Sequence, residues 1–206
     1  MDFEVYKSLN GLAANADGFE DVFKLVSEAS VYVFMALLAC LFLARGKWRS
    51  PNGRRGVVAA GFSALLALAV AHVVAGIVDR PRPYVAHPGD AHLFVPASAD
   101  PSFPSDHATA AFAIAVAILL RSRRPGWLAL AMASAVAVSR VVVGTHYPSD
   151  VVGGALLGAL AALLIWLPPI RGWLDALADG VARLYDALAS RAYGGRFVRS
   201  SAPRRL

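Results

Sequence analysis

From Gly56 to Val78 the chain carries no Asp, Glu, Lys, Arg or Pro, and His72 is the one ionisable side chain in the run. Helical residues rise 1.5 Å each, so about 20 of them cross the ~30 Å hydrocarbon layer of a bilayer. Inside that layer each backbone N–H and C=O needs a partner within the segment, which selects the helix. The rest of the chain has to share the membrane with it, and its composition allows this. Apolar residues make up 57% of the 206, against roughly 45–50% in an ordinary soluble domain.

Four more apolar segments follow the same logic. The first runs from about Ala29 to Ala44 and reaches spanning length by borrowing Phe19, Val22, Phe23 and Leu25. The others are Ser105 to Leu120, Gly126 to Val143, and Asp150 to Leu167, the last rich in Gly153, Gly154, Gly158 and Ala162, which permit close helix approach. The expected fold is all-α: a polytopic membrane helical bundle of about five transmembrane helices, forming one domain over residues 1–206 with its core at 29–167. Residues 1–28 mix Phe3, Val5, Tyr6, Leu9 and Leu12 with acidic residues and read as an interfacial helix. Beyond Pro168 and Pro169, residues 170–192 place Trp173, Leu174, Leu177, Val181, Leu184 and Leu188 at helical spacing, an amphipathic helix on the membrane surface followed by a basic tail.

A net charge of +6 raises the question of nucleic acid, but no soluble basic face with motif support accompanies it, so no nucleic-acid partner is expected. The single cysteine, Cys40, lies in an apolar run and is a packing residue. The Met-Asp-Phe-Glu opening lacks the positive region of a secretory signal, and the first apolar segment is expected to be retained. Cations gather on cytoplasmic segments. Fifteen of the twenty Lys and Arg residues lie in the segment 45–55, the turn 121–125 and the C-terminal region, and five spans put all three on one side. The opposite, outer side then holds the loop from Asp79 to Pro104 and the turn from Gly144 to Ser149.

Those outer loops carry the chemistry. DRPRPY presents Arg80 and Arg82 between prolines that stiffen the backbone, suiting the guanidinium groups to bidentate contact with phosphate oxygens. In isolation a snorkelling juxtamembrane pair explains them as well. FPSDH opens a helix, where free backbone N–H groups and the dipole make an anion site. Ser105 and Asp106 sit in it, and His107 is placed to give a proton to a leaving oxygen. Arg140, near the outer end of the fourth span, is costly in a membrane and calls for a function. His146 and Asp150 are four apart, with Ser149 as an expected helix N-cap; the Asp can bond one imidazole nitrogen and leave the other as a nucleophile. A metal pair is the competing reading, but no Cys or Glu completes a zinc-like ligand set. The combined inventory fits a phosphate monoester or diphosphate with histidine attacking phosphorus.

Arg82-Pro83, Pro104 to His107, and Ser139 to Asp150 (S-R-x5-H-x3-D) together resemble the signature of the type 2 phosphatidic acid phosphatase superfamily. The wider chain, including YVAHP, SADPSFPSDHAT and VGTHYPSDVVGG, is similar to its bacitracin-resistance branch, the bacterial undecaprenyl-diphosphate phosphatases. The resemblance implies a metal-independent enzyme without cofactor, acting on a polyprenyl diphosphate lipid at the outer face of the plasma membrane. It makes His146 the nucleophile, Asp150 its orienting partner and His107 the general acid. Arg82, Ser105 and Arg140 would hold the phosphate. The superfamily's lysine is Ala75 here and the glycine of P-S-G-H is Asp106, which leaves Arg80 as the expected replacement for the missing cation. Phosphatidic acid or phosphatidylglycerophosphate as substrate, or a headgroup binder or flippase without catalysis, are the alternatives.

Overall fold

The computed structural model describes residues 1–16, 18–44 and 51–192. The helices are α1 (Asp2–Ala14), α2 (Phe19–Leu43), α3 (Pro51–Val78), the single turn α4 (Pro83–Ala86), α5 (Asp106–Arg121), α6 (Arg123–Val142), α7 (Pro148–Ile165) and α8 (Pro168–Ala192). The all-α bundle expected from the apolar runs is what forms, and the chain is a multi-pass membrane protein. Among the described residues four helices are long and apolar enough to cross a membrane: α2, α3 with its extension to Ala86, α6 and α7.

The fifth expected span, α5, has 16 residues, about 24 Å of helix. It is the central helix, packed by α3, α6 and α7. A helix ringed by protein need not match the thickness of lipid. Its buried face is almost all alanine: Ala108, Ala111, Ala113, Ala115 and Ala117, with Ile118. Small residues let backbones approach where lipid supplies no hydrophobic drive. The same need explains the glycines of α7. A methyl group at Gly154 would come within 2.7 Å of the Ser105 carbonyl and 2.8 Å of Thr109 Oγ1.

Element boundaries differ from the sequence reading in instructive ways. The first 28 residues do not form one interfacial helix leading inward. Gly18, at φ +79°, breaks it, and α1 folds back to bury Tyr6 and Asn10 against α6 and α7 while Val5 and Leu12 stay exposed. Arg54 and Arg55 are not loop residues but belong to the first turns of α3. The expected basic turn 121–125 is reduced to Ser122, because Pro125 is tolerated in the first turn of α6, where no N–H is needed. Pro148 and Pro168 likewise open α7 and α8. The cations Arg45, Lys47 and Arg49 and the tail beyond Ala192 lie outside the described residues.

At the end of the bundle away from the loops, α8 is fastened across the helix ends by charge. Arg54 pairs with Asp186 at 3.0 Å, Arg55 with Asp179 at 2.7 Å, and Arg121 with Asp175. Leu174 and Ala178 are buried, while Trp173, Leu184 and Leu188 are exposed.

Candidate active site

At the other end, the close of α3, the starts of α5 and α7, and the close of α6 converge. The geometry begins with how α6 stops. Thr145 and His146 both donate their backbone N–H to the Arg140 carbonyl, and Thr145 Oγ1 adds a third bond at 2.8 Å. The turn needs Gly144 at φ +88°, a left-handed conformation, and a side chain there would also collide with the His92 carbonyl. Asn10 of α1 donates to the carbonyls of His92 and Val142, and Phe94 N–H to that of Val143. Thus the turn that carries His146 is held from three directions.

His146 is 3% exposed. Its Nδ1 lies 2.8 Å from the Ser102 carbonyl. A carbonyl can only accept, so Nδ1 carries the proton and the Nε2 lone pair is free. Asp150 was expected to make this bond. Instead its Oδ2 is 3.8 Å from Nδ1, beyond hydrogen-bond range, and acts on the ring through charge. That oxygen accepts from Ser102 Oγ at 2.5 Å and from the Tyr147 N–H at 2.9 Å. Asp150 thereby positions the residue whose carbonyl orients the imidazole. The α7 N-cap is accordingly Tyr147, with Asp150 as its N3 acceptor, and not Ser149 as the sequence suggested. Burial pushes the His146 imidazole below its ordinary pKa; the Asp150 carboxylate pulls the other way, and Arg82 and Arg140 reinforce the lowering.

The groups expected to bind an anion face the same region. Ser105 is fully buried, its N–H donates to the Asp150 carbonyl at 3.1 Å, and its hydroxyl has no partner. A buried hydroxyl without a partner costs free energy unless a ligand supplies one. Beside it the first N–H groups of α5 lack intrahelical acceptors. Arg82 is fixed by the carbonyls of Asp100 (2.8 Å, from Nε) and Thr145 (3.4 Å, from Nη1). Arg140 donates from Nη1 to Ser27 Oγ of α2 at 2.5 Å, and its buried Nε has no partner. His107 and Asp106, at the start of α5, lie within electrostatic reach of His146 and Arg82. Among the described residues no three His, Cys, Asp or Glu side chains converge as a metal site requires.

Arg80 stands apart from this cradle. Its Nη1 donates to Asp150 Oδ1 at 2.7 Å and to Ser149 Oγ at 2.6 Å, and its Nη2 donates to Asp2 Oδ2 at 2.7 Å. Sequence reasoning had no signal for Ser102, Ser27 or Asp2, which act through a carbonyl, a hydroxyl and a distant helix.

Below Asp106 and His107 a cavity of about 320 Å³ runs down α5 past Ala110, Ala111 and Ile114. Its far wall is Val31, Phe34, Met35 and Leu38 of α2. Val31 and Met35 are themselves more than half exposed, so the cavity opens sideways from the bundle.

The sequence from 56 to 171 matches the PAP2 superfamily. The chain belongs to that superfamily. The bacitracin transport permease protein BcrC of Bacillus licheniformis is 34% identical over 187 residues, covering 86% of this chain and 90% of that protein. The undecaprenyl-diphosphatase BcrC of Bacillus subtilis (strain 168) is 29% identical over 93% of this chain and 95% of its own length. Among solved structures, Aquifex aeolicus LpxE superposes with a TM-score of 0.64 at 24% identity over 79% of this chain and 93% of LpxE, which shows a shared fold. The matched range contains the elements that meet at this end of the bundle: the segment after α3, the start of α5, and the α6–α7 turn.

Proposed function

We propose that this PAP2 protein is a membrane phosphatase that cleaves the terminal phosphoanhydride of undecaprenyl or a similar polyprenyl diphosphate, giving the monophosphate and inorganic phosphate. The observation that carries the chemistry is the Nδ1–H of His146 donating to the Ser102 carbonyl, which leaves Nε2 as a neutral nucleophile beside an unpartnered Ser105 hydroxyl. Nε2 attacks the terminal phosphorus, the bond to the bridging oxygen breaks, and His107 gives that oxygen its proton. The phosphohistidine ring then carries positive charge, which Asp150 at 3.8 Å stabilises. Water, losing a proton to His107, releases phosphate. Arg82, Arg140, Ser105 and the α5 N-terminus meet the charge on the equatorial oxygens, and Asp106 borders them. The relatives named as undecaprenyl-diphosphatases support the prenyl substrate, and the sideways cavity supports a lipid tail. A cavity of this size takes a drug-sized portion of a ligand, so the remainder of the prenyl chain stays in the bilayer. The active site faces outside, on the strength of the cation distribution. Recycling of the cell-wall lipid carrier and bacitracin resistance follow as the physiological role that the relatives' names support.

The test is phosphate release by purified protein in detergent from undecaprenyl diphosphate, phosphatidic acid and phosphatidylglycerophosphate, with and without chelator. The prenyl diphosphate is expected to be preferred and EDTA to have no effect. His146→Ala is expected to lower turnover by about a thousandfold or more. Undiminished turnover in that variant, or loss of activity in EDTA, overturns the reading.

A further inference from the structure

Arg80 spends its guanidinium on protein. Besides Asp150, Ser149 and Asp2, its plane lies 3.9 Å from the centre of the Tyr147 ring. Asp2 is fixed in turn by the Ser149 N–H at 3.0 Å and the Ser149 hydroxyl at 2.5 Å. Asp150 is fully buried, and both its oxygens are used: Oδ1 by Arg80, Oδ2 by Ser102 and the Tyr147 N–H. A continuous chain of contacts therefore runs Asp2–Arg80–Asp150–Ser102 and ends on the imidazole of His146. Its first member belongs to α1, outside the residues that match the superfamily.

We propose that Arg80, steadied by Asp2 of α1, is a positioning residue for the His146 nucleophile and not a ligand of the substrate phosphate. The inference rests on the phosphatase reading for its kinetic consequences only. A buried carboxylate 3.8 Å from an imidazole draws a proton onto the ring. Shared with Arg80, the Asp150 charge is largely cancelled, and the ring stays neutral in the free protein. The charged and titratable groups facing His146 are Asp150 from α7, Arg82 from the segment after α3, Arg140 from α6, and Asp106 and His107 from α5. Those facing Asp150 are Arg80, His146 and the Tyr147 phenol, with Asp2 behind Arg80. Removing Arg80 leaves the remaining cations in place and uncovers one negative charge beside the ring.

The experiment compares Arg80→Gln, Arg80→Lys, Asp2→Asn and the Asp2→Asn/Arg80→Gln double variant in detergent by two readouts. Steady-state kinetics on undecaprenyl diphosphate should show kcat reduced about 10- to 100-fold in Arg80→Gln, with KM and inhibition by inorganic phosphate within about twofold of wild type. The acid limb of kcat/KM should move to higher pH. Asp2→Asn should lose a few-fold, and the double variant should be no worse than Arg80→Gln, because the two residues act in one chain. NMR titration of 13C-labelled histidine should show the His146 midpoint raised in Arg80→Gln and kept low in Arg80→Lys, which retains the charge. This readout needs no turnover, so it judges the inference even if the substrate assignment fails. If Arg80→Gln does not fold, Arg80→Lys and Asp2→Asn carry the kinetic test. An unmoved His146 midpoint, a loss confined to KM and phosphate inhibition, or additive losses in the double variant overturns the proposal.

Discussion

An imidazole that attacks phosphorus must be neutral before the reaction and tolerate positive charge during it. On the proposed mechanism the two demands fall on different groups of this site. The Ser102 carbonyl fixes the tautomer, while Asp150, out of hydrogen-bond range, supplies charge. Where an aspartate itself fixes the tautomer of a catalytic histidine, changing it to asparagine costs roughly 10⁴-fold. Here Asp150→Asn leaves the Ser102 carbonyl in place, so a smaller loss of about 10²-fold in kcat is expected, of the size of one lost electrostatic contact. The pH profile gives the matching sign. Because the His146 pKa lies below its usual value near 6.5, the ring stays neutral as pH falls past that value, and activity declines only as pH crosses the lowered one. Asp150 is the group that raises it, so Asp150→Asn should shift the acid limb of kcat/KM further down, a measurement of initial rates from about pH 4 to 8. A loss near 10⁴-fold, or a limb that moves up, contradicts this division of labour. That His146, Asp150, Ser105, Arg82 and Arg140 would come together was legible because they sit in short polar segments between apolar spans. Ser102 was not legible, since a backbone carbonyl has no residue type, nor were the carboxylate partners of Arg80, because a guanidinium suits a carboxylate as well as a phosphate.

At the scale of elements, hydropathy located the long helices within a few residues, because lipid leaves the backbone no other way to satisfy itself. It mistook the loop ends, where proline-started helices take up residues that read as turns, and it could not see that α1 packs on the site, since Asn10 and Tyr6 are buried by partners distant in sequence. Nor could it show the cavity between α2 and α5, which exists because Ala110 and Ala111 are small where Met35 and Leu38 stand back. The cavity wall offers a test of the lipid-tail reading. Ala110 is partly exposed and lines the space without belonging to the buried core, so Ala110→Phe fills the cavity with little strain on the bundle. Each buried methylene is worth about 0.8 kcal/mol, so excluding two to four of them should reduce kcat/KM for undecaprenyl diphosphate about 10- to 200-fold. Isopentenyl diphosphate, which has no long tail to place, should lose less than about twofold. Equal losses on both substrates show that the space does not hold the prenyl chain.

For the molecule as a whole, the two ends of the bundle are electrostatic opposites in use. At one end Arg82 is held by backbone carbonyls alone and Arg140 keeps a buried Nε without a partner, so no carboxylate pairs with either; at the other, Arg54, Arg55 and Arg121 are paired with Asp186, Asp179 and Asp175 of α8, with Arg123, Arg124 and Arg171 nearby in sequence. Positive charge accumulates on the cytoplasmic side of membrane proteins, and the cations before α3, after α5 and after α7 support the proposed orientation with the α8 end in the cytosol. This orientation matters to the proposed function, because an outward cradle would meet lipid diphosphate in the outer leaflet whereas an inward one would meet only the inner leaflet. Cys40, the single cysteine, is exposed on α2 and can be replaced by alanine to give a background free of thiols. In that background Asp90→Cys, beside the site, should react with a membrane-impermeant maleimide in intact spheroplasts, since the Asp90 side chain is about half exposed. Ser190→Cys, on the exposed surface of α8, should react only after permeabilisation. Labelling in the reverse order would put the cradle in the cytosol and remove the outer-leaflet diphosphate from its reach, whatever its chemistry in detergent.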